Sequence, residues 1–426
     1  MINKIIDILD ELKSEGIEKY LITKTEKSSS ELFFIKKKLD VRRSKNVTDY
    51  NVTVYRDIEK DGVKLRGSAG ADIFPSMTEE EIREKLKEAY FAAQYAANPF
   101  FELVRGDGKA VVDNSVTHQS SEEAARTMAK ALFSVDNDSE AFINSAEFFA
   151  VNETRRIVNS DGVDVSFNKF NLNGEFVTQC KTEEDVELYY SFEYDEVNEK
   201  ALAEKAAEGI KAAKDRSVAK RCLASGNYDI ILSGNELATV LSYYTDKSNA
   251  SFIYSKYSDY EVGTETQGDE VKGEKLNITC IATQPYSDEG IKMSDLKLVE
   301  NGTLKAIHGV NRFSQYLGID PTGFYEKIRL DAGTQSVEDM KKKPYLQAVK
   351  FSDFQMDAFT GHFGGEIRLA YLFDGEKITK ITGGSINGII TKAHKNLVFS
   401  KEQYSDSHYE GPLAVRIENV AVAGSV

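Results

Sequence analysis

The 426-residue sequence has no tryptophan, only six prolines, five histidines and three cysteines, and no long uninterrupted apolar run. A bilayer-spanning helix needs on the order of 18 or more consecutive apolar residues, so no membrane span is expected. The first residues, Met1 to Asp7, turn acidic without an apolar stretch or a small-residue cleavage site, which predicts no secretory leader. Cys180, Cys222 and Cys280 are odd in number and far apart. That spacing suits reduced thiols in the cytoplasm better than a disulfide framework. Basic charge is also in deficit: 54 Lys and Arg face 69 Asp and Glu, a formal charge of −15. A chain this acidic repels a phosphate backbone, so direct nucleic-acid binding is not expected. Its one basic run, Lys36–Lys38 with Arg42 and Arg43, is read as a solvated strand face.

What is present describes an ordinary globular protein, 41% hydrophobic and 29% charged. Its length favours two domains. Ile5, Ile6, Leu9 and Leu12 recur at helical spacing before Gly16. Alternating segments at 20–23, 51–55 and 63–67 predict strands, with Asp61-Gly62 turning the last hairpin. Thr78 and Glu81 form a capping box ahead of a second helix, which Asn98-Pro99 is expected to end. Residues 121–135 read as a helix, and 141–151, 154–159 and 163–169 as strands, the last pair joined at Asp161-Gly162. A long amphipathic helix over 196–216 bridges to the apolar strand 228–232. The boundary is placed near Arg221, giving domains 1–220 and 221–426. Hairpins at Asn301-Gly302 and Asp374-Gly375 mark the second as rich in antiparallel sheet. The fold class is α+β, without βαβ alternation.

Familiar chemistry is sparse. There is no GxxxxGK[ST] loop, and Gly106-Asp107-Gly108-Lys109 is read as a polar turn. In Gly383-Gly384-Ser385-Ile386-Asn387-Gly388 the second glycine comes one residue late for a nucleophile elbow, so these glycines are read as a bend or close approach within a sheet. The histidines His118, His308, His362, His394 and His408 form neither HExxH nor HExxxH. The nearest approximation, His362 to Glu366, spans Gly364-Gly365 and reads as a loop entering a strand.

Several motifs, in order, carry a resemblance: Asn159-Ser160-Asp161-Gly162, Ser287-Asp288-Glu289-Gly290, the hairpin Leu298 to Lys305, Leu317-Gly318 with Pro321-Thr322-Gly323, Gly365 to Phe373, Gly383 to Gly388, and Gly411-Pro412-Leu413 with Val420 to Gly424. Together they resemble the TldD/PmbA family. In its TldD branch, HExxxH follows the first strand of the second half and, with a later cysteine, holds zinc. The corresponding stretch here, Ile231 to Lys247, places Ser242 and Lys247 at the histidine positions and Tyr243 at the glutamate position, and no cysteine follows Cys280. The chain is thus similar to the metal-free PmbA (TldE) branch.

That resemblance implies a non-catalytic subunit, without catalytic or metal residues or a cofactor of its own, zinc being expected only in a TldD-type partner. It would join such a subunit, or itself, in a dimer acting on unfolded peptides. Tyr243, Tyr244, His362, Glu366 and Ser385 are candidate peptide or partner contacts. Two alternatives stay open: an autonomous homodimeric peptidase with a displaced metal site, and a peptide-binding regulatory protein without a protease partner, in keeping with the family's label as modulator of DNA gyrase.

Overall fold

A computed structural model describes residues 1–112 and 120–425; His118 lies outside them. The helix α1 (Ile2–Leu12) buries Ile5, Ile8, Leu9 and Leu12. Three long strands follow, β1 (Lys19–Ile35), β2 (Lys38–Lys60) and β3 (Val63–Ile73). Asp61 and Gly62, at φ 54° and 75°, make the tight turn between the last two. The short segments expected at 20–23 and 51–55 are parts of this much longer hairpin. Residues 39–49 of β2 lie largely in solvent on both faces, so no burial alternation marks them as strand.

Helix α2 (Glu79–Ala93) starts on the reciprocal Thr78–Glu81 capping box. It stops at Ala93, and Asn98-Pro99 instead lie in the short strand β4 (Ala97–Pro99). The turn at Gly106 leads into an edge strand, β5 (Gly108–Val112), which runs parallel to residues 163–167. A second capping box, Ser120 with Glu123, opens α3 (Ser121–Ser134). Next come β6 (Ala141–Asn159), one continuous strand where two were expected, then β7 (Val163–Lys181), β8 (Asp185–Tyr194) and α4 (Glu199–Ser217). All eight strands form one sheet in the order β4-β3-β2-β1-β6-β7-β5, with β8 on the far part of β7. Helices α1 and α2 cover one region of it and α3 and α4 another, each over its own apolar cluster. The basic run sits at the exposed β1–β2 tip, where Arg42 pairs with Glu122.

The remaining strands build two sheets. Strand β9 (Gly226–Ser233) leads into α5 (Asn235–Lys247) and the single turn α6 (Ala250–Tyr254). Strands β10 (Ile278–Ile281), β11 (Leu296–Glu300) and β12 (Thr303–Leu304) precede α7 (Asn311–Leu317) and β13 (Lys327–Leu330). Then follow β14 (Tyr345–Asp357), β15 (His362–Phe373), β16 (Ile378–Ile381), β17 (Ser385–Ile389), β18 (Val398–Phe399), β19 (Gln403–Ser405), β20 (Tyr409–Pro412) and β21 (Ala414–Ala423). One sheet runs β12-β11-β10-β13-β20-β19. The other runs β14-β9-β21-β17-β15-β16, and because β14 also pairs with β15, five strands close on themselves around an apolar interior. The protein is α+β with mostly antiparallel sheet. Among the described residues no helix is long and apolar enough to cross a membrane.

Candidate functional site

Helix α5 carries the three positions at which the resemblance would place metal chemistry. Gly234, at φ 58°, swings the chain off β9 into the helix. Leu237, Val240, Leu241 and Tyr244 then form a stripe at helical spacing that is buried against the second-half core. Ser242 Oγ donates back to the Thr239 carbonyl at 2.8 Å. Tyr243 is only 6% exposed and meets Tyr244 edge to face at 5.3 Å. Lys247, the last helical residue, donates to the Tyr257 carbonyl at 2.7 Å. Positions 242 and 247 are five residues apart, so on a regular helix their side chains diverge by about 140°. The local bonds follow that divergence.

Tyr244 is fully buried and therefore offers no surface to a peptide or partner. Its hydroxyl and His394 Nδ1 share a hydrogen bond at 3.1 Å, and burial pushes the His394 pKa down to about 4. His308 lies beneath the same helix, with Nε2 at 2.8 Å from the Thr245 carbonyl. That bond requires the proton on Nε2, and burial lowers this imidazole's pKa as well. Cys280 sits in the core with its thiol pushed up to about 12 by burial. Among the described residues no three His, Cys, Asp or Glu side chains converge as a metal site would require. The residues at hand do not fit a zinc ion on α5.

The other candidates lie on the closed sheet. Glu366 and Ser385 are direct partners across β15 and β17 and border one shallow depression. Glu366 accepts a hydrogen bond from Ser352 Oγ at 3.1 Å. His362 heads β15 as a strand residue, with Nδ1 at 2.9 Å from Thr360 Oγ1. Four residues along a strand separate it from Glu366 by about 13 Å, so the two do not act together. Close approach explains the glycines: a Cβ on Gly364 would stand 2.1 Å from the Ile386 carbonyl oxygen, and one on Gly365 2.0 Å from that of Asp353. Gly383 and Gly384, at φ 78° and 84°, turn the chain into β17.

A more enclosed site lies between the halves. A cavity of about 470 Å³ opens among β8, α4, the β9–α5 turn, β14 and β19. Lys205 from α4, Lys350 from β14 and Glu236 from the first turn of α5 line it. Burial lowers the pKa of both lysines and raises that of Glu236. Tyr404 closes one side, its hydroxyl bonded to Asn235 Oδ1 at 3.1 Å and to Asp406 Oδ2 at 3.0 Å. A neighbouring cavity of about 330 Å³ shares Ser191, Lys205 and Asn235. On its wall His408 donates to Glu193 at 3.1 Å, and that carboxylate raises the histidine's pKa to about 9. Nothing local in the sequence separates Lys205 from the solvated lysines of α4.

With this geometry in place, comparison with known proteins identifies the class. Residues 225–424 match the family model described as the PmbA/TldA metallopeptidase C-terminal domain, so this half of the chain is similar to the PmbA/TldD family. The whole fold is shared with TldE from Thermococcus kodakarensis, at a TM-score of 0.78 and 14% identity over 99% of this chain and 100% of that one. A proposed modulator of a DNA gyrase from Thermotoga maritima superposes at a TM-score of 0.72 and 16% identity, over 99% and 100% of the two chains. Another from Bacteroides thetaiotaomicron does so at 0.75 and 15%, over 99% and 98%. No curated protein matches the chain.

Proposed function

We propose that this chain is a PmbA/TldE-like, non-catalytic subunit of a TldD-type metallopeptidase acting on unfolded peptides in the cytoplasm. The observation that carries the reading is the fate of the three motif positions on α5. Ser242 bonds into its own helix, Tyr243 is core, and Lys247 bonds to a loop carbonyl. A zinc-bound water is a nucleophile near neutral pH only when ligands hold the metal and a base takes the proton. None of these three side chains supplies either. Metal and base would come from the partner subunit, and this chain would contribute surface.

The long β1–β2 hairpin suits that contribution. Among the described residues, the part of β2 before Tyr50 pairs only with β1, so residues 38–49 present one edge that no described strand joins. An extended peptide can join such an edge through backbone hydrogen bonds with little demand on its sequence.

Two measurements on the purified chain test the reading. After incubation with zinc and removal of excess, mass spectrometry should find less than about a tenth of an equivalent, because affinity of that order needs a complete ligand set. Co-expression with a TldD-type subunit should give a stable complex with chelator-sensitive peptidase activity. A full equivalent of zinc with chelator-sensitive activity from this chain alone would refute the proposal.

The two structural relatives described as proposed modulators of DNA gyrase favour one second reading, a regulatory protein with no protease partner. At a charge of −15 it would act through protein contacts and not through DNA. Failure of the chain to bind any TldD-type subunit would select this reading.

A further inference from the structure

The cavity between the halves holds charges that no side chain among the described residues meets at ion-pair distance. Among the described residues Lys205 makes no hydrogen bond and no ion pair, and Lys350 only rests over the Tyr190 ring at 4.3 Å. Glu236 lies within the field of both lysines but outside ion-pair distance of either. Its carboxylate interacts with the backbone amide of Glu236 itself. An ammonium drawn out of water without a partner is costly, which is why burial lowers both pKa values. The inner wall thus presents two cations, the Glu236 carboxylate and the positive end of a 13-residue helix, with the Asp406 carboxylate behind Tyr404 also in the field of Lys205. The mouth has the opposite character. There Lys200 and Glu204 neutralise each other at 3.8 Å, leaving the exposed Glu208 as the unpaired charge.

A plain anion would meet acidic groups at the entrance, and a plain cation would meet lysines inside. A molecule with both charges, one at each end, matches the gradient. We propose that this cavity binds a small zwitterion, a free amino acid or a short peptide with uncapped ends, its carboxylate between Lys205 and Lys350 and its ammonium toward Glu208. At about 470 Å³ the cavity lies within the usual range for small-molecule sites. Because its walls come from both halves, an occupant bridges them. The site belongs to this chain alone and does not depend on the subunit reading.

Isothermal titration calorimetry of the full chain tests it with four probes: alanine, trialanine, N-acetyl-trialanine and trialanine amide. Saturable binding of alanine or trialanine is expected, and the tighter of the two identifies the ligand class. Capping either end of trialanine removes a charge-assisted contact and should weaken binding about ten-fold or more. Lys205→Met should weaken it comparably, whereas Lys130→Met, on the exposed face of α3, should leave it unchanged. Absence of saturable heat with both uncapped probes at millimolar concentration overturns the proposal. So does equal affinity for capped and uncapped trialanine, or unchanged affinity in a folded Lys205→Met variant. Should that variant fail to fold, the capped probes decide. None of these failures touches the zinc measurement, so loss of the cavity ligand and loss of the subunit reading are separable.

Discussion

Writing the family's metal motif back into α5 should not create a metal site. The perturbation is Ser242→His, Tyr243→Glu and Lys247→His together. Tyr243 is 6% exposed and packed against Tyr244. Losing a buried aromatic side chain costs about 3–5 kcal/mol. Placing a carboxyl group there without a partner adds roughly 1–3 kcal/mol. Against a typical domain stability of about 5–15 kcal/mol, the triple variant should be severely destabilised. Ser242→His with Lys247→His alone should stay folded, because both side chains are partly exposed. That double variant loses mainly the Lys247–Tyr257 bond, about 1 kcal/mol.

The assay is thermal melting with and without zinc, alongside metal content. A specific site at a thousand-fold excess of zinc over Kd would stabilise the folded state by about 4 kcal/mol. For a unit of about 200 residues that raises Tm by roughly 8–16 °C. No such rise is expected from the double or the triple variant, since a zinc site needs at least a third protein ligand and no cysteine follows Cys280 to complete it as in the TldD branch. A stoichiometric zinc signal with a rise of that size would refute the reasoning. It would mean that another side chain supplies the missing ligand.

Other consequences follow from single contacts. The His408–Glu193 pair joins the halves and has a histidine pKa raised to about 9. Its stabilisation is therefore complete below the unfolded histidine pKa of about 6.5 and is lost as pH rises through about 9. Both side chains are more than a third exposed, so the effect after solvent screening is about 1 kcal/mol or less. Tm should fall between pH 6.5 and 9.5 by an amount that His408→Gln abolishes; identical pH profiles would discard this assignment. Gly365→Ala should cost about 1–3 kcal/mol in urea denaturation, since the added Cβ meets the Asp353 carbonyl oxygen at 2.0 Å. Wild-type stability there would show that the closed sheet has slack where β14 and β15 shift register between Phe351 and Phe354. Asp229→Ala removes the carboxylate that accepts from the buried Arg416 guanidinium at 2.7 Å. The bonds of Arg416 to the Met340 and Pro344 carbonyls remain, so a loss of about 2–3 kcal/mol is expected, read from the denaturation midpoint.

Legibility along the chain followed the range of the interaction involved. The capping box at Thr78 and the turns at Asp61-Gly62 and Asn301-Gly302 are written in residues close in sequence, and each is where the sequence places it. The length of the β1–β2 hairpin is not, because residues 39–49 lack a buried face and are held as strand by pairing to β1. The run 141–159 was expected as two strands for a related reason. Its middle residues are only partly buried, and backbone pairing to both β1 and β7 carries the strand through them. Within the candidate site, the residue types at 242, 243 and 247 already departed from a metal motif. That Tyr244 is wholly interior, and that His362 and Glu366 lie apart along one strand, required the fold.

By itself, then, the order of residues determined the local turns and caps and the α+β class. These depend on neighbours a few positions away or on residue identity alone. Tertiary structure decided the closure of β14 onto β15 and the meeting of Lys205, Glu236 and Lys350 in one cavity. An ammonium on an amphipathic helix looks the same in sequence whether water or another domain faces it. Its pKa, its missing partner and its capacity to hold a ligand arise only when residues more than a hundred positions away fold over it.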